Sequence, residues 1–171
     1  QTLYRQPGAA VAVKENPRQD RISAPLPAAV ACAALAFPAQ AEDKAPPVEG
    51  ALRAWVSAVE TGTADDIVSL YDKDSVMLSA FATDPLTSHA QLRDYFGKVV
   101  KEPNRKVDVT AQDVRRFGNV ASNTGLYVFH FEQDGEPMDI PARFTFVYVL
   151  SGGKWSIISH HSSIVPGTPK K

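Results

Sequence analysis

The chain has 171 residues, enough for one domain with a real core and too few for two of comfortable size. Hydrophobic residues make up 44% and charged residues 22%, with 18 Lys+Arg against 19 Asp+Glu. The resulting formal net charge of −1, with no basic run longer than two residues, argues against nucleic acid or an anionic membrane as partner.

Residues 1–45 read as a leader rather than as fold. Residues 28–37, Ala-Ala-Val-Ala-Cys-Ala-Ala-Leu-Ala-Phe, form a charge-free apolar stretch too short to span a bilayer as a helix. Arg18 and Arg21 precede it, Ala39-Gln40-Ala41 offers the small residues a signal peptidase reads, and the polar, Pro-rich stretch Glu42–Pro47 follows. This predicts a secretory signal cleaved after Ala41 and a secreted or periplasmic mature protein. Acidic Glu15 and Asp20 and the crowding Pro25 and Pro27 fit a signal poorly, so residues 1–20 read as an over-extended start. The competing reading is a disordered Ala/Pro-rich extension on a cytoplasmic protein. Cys32, the single cysteine, lies in this region. The domain downstream therefore has no disulfide, thiolate metal site or cysteine nucleophile, and no metal or cofactor is expected there.

From 46 to 166 the pattern is that of one α+β domain, with 167–171 as a tail. Val48, Leu52, Trp55, Val56 and Val59 recur at helical spacing after Pro46-Pro47, and Thr61-Gly62 ends that helix. Thr63-Ala64-Asp65-Asp66 opens a second, shorter helix carrying Ile67, Val68, Leu70 and Tyr71. Asp72-Lys73-Asp74 turns the chain into a strand over Ser75–Phe81, which Asp84-Pro85 breaks. Ser88-His89-Ala90-Gln91 caps a third helix with Leu92, Tyr95, Phe96, Val99 and Val100 on one face.

After Pro103 the residues turn to Val, Phe, Tyr, Thr and Ile, predicting strands over Lys106–Phe117, Val120–Gln133, Met138–Ser151 and Trp155–Val165. Gly118-Asn119, Asp134-Gly135 and Gly152-Gly153 supply the turns of a meander. Three helices and a strand thus precede four strands, and the helices must cover one sheet face.

The run Ala142-Arg143-Phe144-Thr145-Phe146-Val147-Tyr148-Val149, a Gly-Gly turn, then Lys154-Trp155-Ser156-Ile157-Ile158-Ser159-His160-His161-Ser162-Ser163 resembles the C-terminal hairpin of a known family. That family is the association (hub) domain of calcium/calmodulin-dependent protein kinase II, in its stand-alone bacterial form, within the nuclear transport factor 2-like and SnoaL-like superfamily. The helix with Trp55, the run Ile67-Val68-Ser69-Leu70-Tyr71 and the helix ending Tyr95-Phe96 follow the same order, so the resemblance covers about residues 47–166. It implies a cone-shaped fold with three N-terminal helices on a curved, mostly antiparallel sheet, a cavity between them, and homodimers or larger rings. It implies no kinase activity, and no Gly-rich phosphate loop, His-Arg-Asp motif or dinucleotide fingerprint is present. Of the hub's cavity arginines only Arg143 carries over, and Ser162 stands where another is often found.

Counting back from a two-residue Gly152-Gly153 turn pairs Tyr148 with Ile157, Thr145 with His160 and Arg143 with Ser162. Alternation then puts Arg143, Thr145, Val147, Ile158, His160 and Ser162 on one face, and Phe144, Phe146, Tyr148, Trp155, Ile157 and His161 on the other. A bulge would swap part of this. Both faces are too apolar for open water, so helices cover one and a second subunit the other. With no carboxylate on its face, Arg143 calls for an anion, which His160 would help to hold.

The candidate ligand residues are therefore Arg143, His160, His161, Ser162, Trp55 and Tyr71, the last two serving equally as core. His160 and His161, on opposite faces, cannot chelate one metal. Asp84 reads as a turn former or a general base at a cavity mouth, His89 as surface, and His130 as a strand residue with no visible partner. Two functions stay open. One is a non-catalytic, self-associating domain that binds a small anionic metabolite. The other is a small isomerase, hydratase or cyclase using pocket His, Tyr or Asp as acid and base.

Overall fold

The computed structural model describes residues 46–133 and 135–167. The chain divides into Gln1–Pro38 and Ala39–Lys171, and all described residues belong to the second unit. The expected signal and its expected cleavage after Ala41 fall outside the described residues, as does Cys32.

Helix α1 (Val48–Thr61) follows Pro47 and buries Val48, Leu52, Trp55 and Val59, a stripe of i, i+4, i+7 and i+11 positions. Its last turn closes where the Gly62 amide donates to the Ala58 carbonyl. Helix α2 (Ala64–Val68) begins in a reciprocal capping box. The Asp66 amide donates to Thr63 Oγ1 at 3.2 Å, and the Thr63 amide donates to Asp66 Oδ2 at 2.8 Å. That backbone bond holds the Asp66 carboxyl below its usual range. Helix α3 (His89–Val99) is capped by Ser88, whose hydroxyl accepts from the Gln91 amide, and it buries Leu92 and Phe96.

Strand β1 (Tyr71–Leu78) starts earlier than expected. Tyr71 belongs to this strand and not to the second helix, which ends at Val68. The start of β1 is irregular: Tyr71 pairs with Ile157, yet the next regular partner is Val76 with Ser159. The meander follows as β2 (Lys106–Phe117), β3 (Val120–Gln133), β4 (Glu136–Ser151) and β5 (Lys154–Ile164). Gly118, Gly152 and Gly153 take positive φ in its turns.

The sheet order is β1-β5-β4-β3-β2, antiparallel except for the parallel β1–β5 pair. This corrects the cone-shaped, curved sheet anticipated from the sequence: the sheet is open and not strongly curled. Closure would need the two outermost strands, β1 and β2, to approach, but they stand at opposite ends of the order. The free edge of β1 is already engaged, because Met77 exchanges both backbone hydrogen bonds with Leu86, each at 2.9 Å.

The core forms where α1 and α3 meet one sheet face. Trp55 lies against Tyr127, Phe129, Phe146 and His160, with Phe144, Tyr148, Trp155 and Ile157 buried in the same cluster. The β2–β3 pair carries a bulge between Val109 and Ala111, and there the Ala111 carbonyl comes so close to Gly125 that no side chain fits.

Candidate functional site

A second bulge decides which side chains meet. The β4–β5 hairpin follows simple counting as far as Tyr148↔Ile157, but the next pair is Val147↔Ser159, so Ile158 is the extra residue. Beyond it the register is Phe146↔His160, Thr145↔His161, Phe144↔Ser162 and Arg143↔Ser163. The expected pairs Thr145–His160 and Arg143–Ser162 are therefore corrected by one residue. A one-residue slip turns every later side chain to the other face.

The slip places His160 and Ser162 among the aromatic residues under α1. His160 is 1% exposed, stacked on Phe146 at 3.9 Å between ring centroids and met edge-on by Trp55 at 5.3 Å. Trp55 Nε1 donates to the Tyr71 hydroxyl oxygen at 3.1 Å, and that oxygen lies 2.8 Å from His160 Nδ1. Two arrangements satisfy these distances. In one, the Tyr71 hydroxyl donates to Nδ1 and His160 carries its proton on Nε2. In the other, Nδ1–H donates to Tyr71, whose hydroxyl turns to Met77 Sδ at 3.8 Å. In both, Nε2 has no partner. Beside this chain, the Tyr127 hydroxyl donates to Ser162 Oγ at 2.7 Å.

Burial fixes the chemistry of the cluster. It drives the His160 imidazole down to about 3, with the neighbouring His161 adding to the effect, so the ring is neutral at ordinary pH. It also pushes the Tyr71 hydroxyl well above its ordinary value. A neutral imidazole and a neutral phenol, both sealed from water, hold each other in place. They are not poised to exchange protons with a substrate.

The other candidates lie elsewhere. Arg143 and His161 are exposed on the opposite, outer face of the sheet, so Arg143 and His160 do not share a site as expected. Opposite faces for His160 and His161 are as expected, with the two exchanged. Of the two faces, the one carrying Phe144, Phe146, Tyr148 and Trp155 is the one the helices cover. Asp84 is exposed in its loop and accepts from Thr83 Oγ1 at 3.1 Å, while His89 Nε2 lies 3.1 Å from the Asp72 carbonyl oxygen.

His130, expected to have no partner, has two. Nδ1 lies 2.7 Å from Asp139 Oδ1, and Nε2 lies 3.2 Å from Asp108 Oδ2, close enough for an ion pair but off line for a hydrogen bond. The signal was available: His130 and Asp139 are equidistant from the Asp134-Gly135 turn, and they are cross-strand partners.

Two grooves open away from the Trp55–Tyr71–His160 cluster. One, of about 380 Å³, runs between α1 and β2 and includes Leu52, Arg53, Glu60, Val109 and Gln112. The other, of about 200 Å³, lies beside His130 and Asp139. Among the described residues no group of three or more His, Cys, Asp or Glu is placed to hold a metal ion, and no described helix is long and apolar enough to cross a membrane.

Known proteins show the same architecture. A structure from Xanthomonas campestris, assigned to the calcium/calmodulin dependent protein kinase II association domain, superposes with a TM-score of 0.67. It is 32% identical over 71% of this chain and 87% of that one. The S. rosetta CaMKII hub superposes with a TM-score of 0.60 at 21% identity, over 69% and 94% of the two chains. A member of the NTF2-like family from Streptomyces avermitilis reaches 0.63 at 17% identity over 69% and 94%, which shows a shared fold alone. A search of curated proteins finds no match. The family model of the calcium/calmodulin dependent protein kinase II association domain runs from 48 to 166, through α1, the meander and the bulged hairpin, and the chain belongs to that family.

Proposed function

We propose that this chain is a non-catalytic domain that associates with copies of itself through the outer face of its sheet. The observation carrying this is the contrast between the two faces. The inner one is closed by α1 and α3, while the outer one leaves Leu126 at 41%, Leu78 at 46% and Phe117 at 70% exposed. Val76, also exposed, joins them from β1, with half-buried Val147 and Val149 between. A water-soluble monomer has little reason to keep so many apolar groups on one flat surface. Kinship with a hub domain supports the same reading.

The alternative, an isomerase, hydratase or cyclase, needs an acid or base that a substrate can touch. The titratable groups of the interior cluster, His160 and Tyr71, are buried and neutral. An anion pocket joining Arg143 to His160 is not part of the proposal, because a sheet separates them.

Multi-angle light scattering tests it: the chain should run as a dimer or larger at micromolar concentration, and Leu126→Asp should shift it toward monomer. A monomeric wild-type chain refutes the proposal. Export, argued from residues 28–41 alone, is proposed alongside, and mass spectrometry of a secreted product should find Glu42 first. A full-length cytoplasmic product would refute that part.

A further inference from the structure

We propose that Arg143 sets the register of self-association by pairing with Asp113 of a second copy, an inference that rests on the outer sheet face being the interface. Arg143 stands on that face between Leu126 of β3 and Ser163 of β5, two residues along β4 from Thr145 and four from Val147. The described ion pairs of this face are made by other groups. Lys106 and His130 hold Asp108, His130 also holds Asp139, and Arg115 holds Asp113. None of them takes Arg143. In a monomer this costs nothing, since the guanidinium is in water. In an assembly that covers Leu126 and Val147 the same guanidinium loses its water, and it needs a carboxylate.

In an isologous contact the partner's face is the same face, and its acids include Asp108, Asp113, Glu132 and Asp139, with Glu132 accepting from Asn104 beyond His130. Asp108 and Asp139 sit at one end, around His130. Asp113 lies nearer the middle of edge strand β2, in the cross-sheet row Asp113–Thr124–Thr145–His161, two residues along from the row of Arg143. Its carboxylate accepts from Arg115 Nε at 2.8 Å and from Arg115 Nη2 at 2.9 Å, one bond on each oxygen. A carboxylate has about four acceptor positions, so each oxygen keeps one for a second guanidinium. The Asp113 side chain is 58% exposed, open on the side a partner would approach. Twofold symmetry makes the bridge twice, once from each Arg143. Such a pair fixes orientation and excludes wrong registers more than it adds affinity, since the apolar face does not select one alignment.

Charge exchange in the full chain tests this, with association followed by light scattering and by sedimentation equilibrium. Arg143→Asp and Asp113→Arg should each raise the dissociation constant by about tenfold or more, and Arg143→Gln by less. Combining Arg143→Asp with Asp113→Arg should bring it back to within about threefold of wild type, since each aspartate then faces an arginine. If Arg143→Asp associates as tightly as wild type, or the double variant is no better than the weaker single one, the pairing is wrong while self-association stands. If the wild-type chain is monomeric, the interface reading falls and this one falls with it.

Discussion

The buried His160 ring makes a specific claim about acid. Its folded value is about 3 against an ordinary 6.5. A group depressed on folding contributes stability that is complete above its unfolded pKa and is lost as pH falls toward the folded one. Between pH 6.5 and pH 4.5 the unfolded chain takes up a proton that the folded chain refuses. Two pH units at about 1.4 kcal/mol each amount to roughly 3 kcal/mol, a large part of a typical domain's stability.

The carboxylates are common to wild type and variant, so their contributions cancel in a comparison. Asp66, Asp108 and Asp113 are held below 3.8 by their partners, so their losses come at lower pH. The other histidines are common to wild type and variant, so their contributions cancel in a comparison. His160→Gln keeps a polar group within reach of the Tyr71 hydroxyl but cannot take a proton. Urea unfolding at pH 7.5 and pH 4.5, at one fixed protein concentration, should show wild type losing roughly 3 kcal/mol more than His160→Gln across that interval. The variant should start less stable and fall more gently. Equal losses in the two proteins would mean that the ring is hydrated in solution, and the sealed cluster described above would be wrong.

Other consequences are simpler to read. Tyr71→Phe removes the acceptor of Trp55 Nε1 and the partner of His160 Nδ1, leaving two buried polar atoms alone, and should cost roughly 2–3 kcal/mol by chemical denaturation. Gly125→Ala would bring a methyl within 1.9 Å of the Ala111 carbonyl oxygen and 2.8 Å of Phe144 Cζ, so its melting temperature should fall by the equivalent of roughly 3 kcal/mol or more. Thr63→Ala removes one half of the α2 capping box and should cost about 1 kcal/mol, with assembly unchanged by light scattering.

Most of the element order was legible because local signals agreed with one another. Pro47 and the Val48–Val59 stripe, the Thr63 and Ser88 caps and the glycine turns each marked a boundary that the structure keeps. What escaped was the long-range arrangement. Nothing in Tyr71–Leu78 states that the strand will pair in parallel with β5, and that pairing leaves β1 and β2 at opposite edges of an open sheet. His130 was legible by the same counting that worked for the last hairpin, applied around the Asp134-Gly135 turn.

The bulge at Ile158 was not legible from its own residues. A bulge of the ordinary kind needs no glycine, and Ile157-Ile158-Ser159 reads as plain strand. The argument for it comes from the partners. Without the extra residue, the aromatic face of Phe144, Phe146 and Tyr148 would carry His161 toward the core and leave His160 outside. Either ring could in principle be buried, but Tyr71 lies on β1 with Met77 beside it, and Met77 pairs with His160. Burying that ring satisfies the Tyr71 hydroxyl, which already receives the Trp55 N–H. The bulge thus gives the Tyr71 hydroxyl, which otherwise has only the Trp55 N–H and Met77 Sδ, a hydrogen bond to His160 at the cost of one unpaired imidazole nitrogen. It also leaves His161 on the outer face beside Thr145, in the row next to Arg143. The same distortion that closes the interior therefore decides which groups the outer face offers to a second copy.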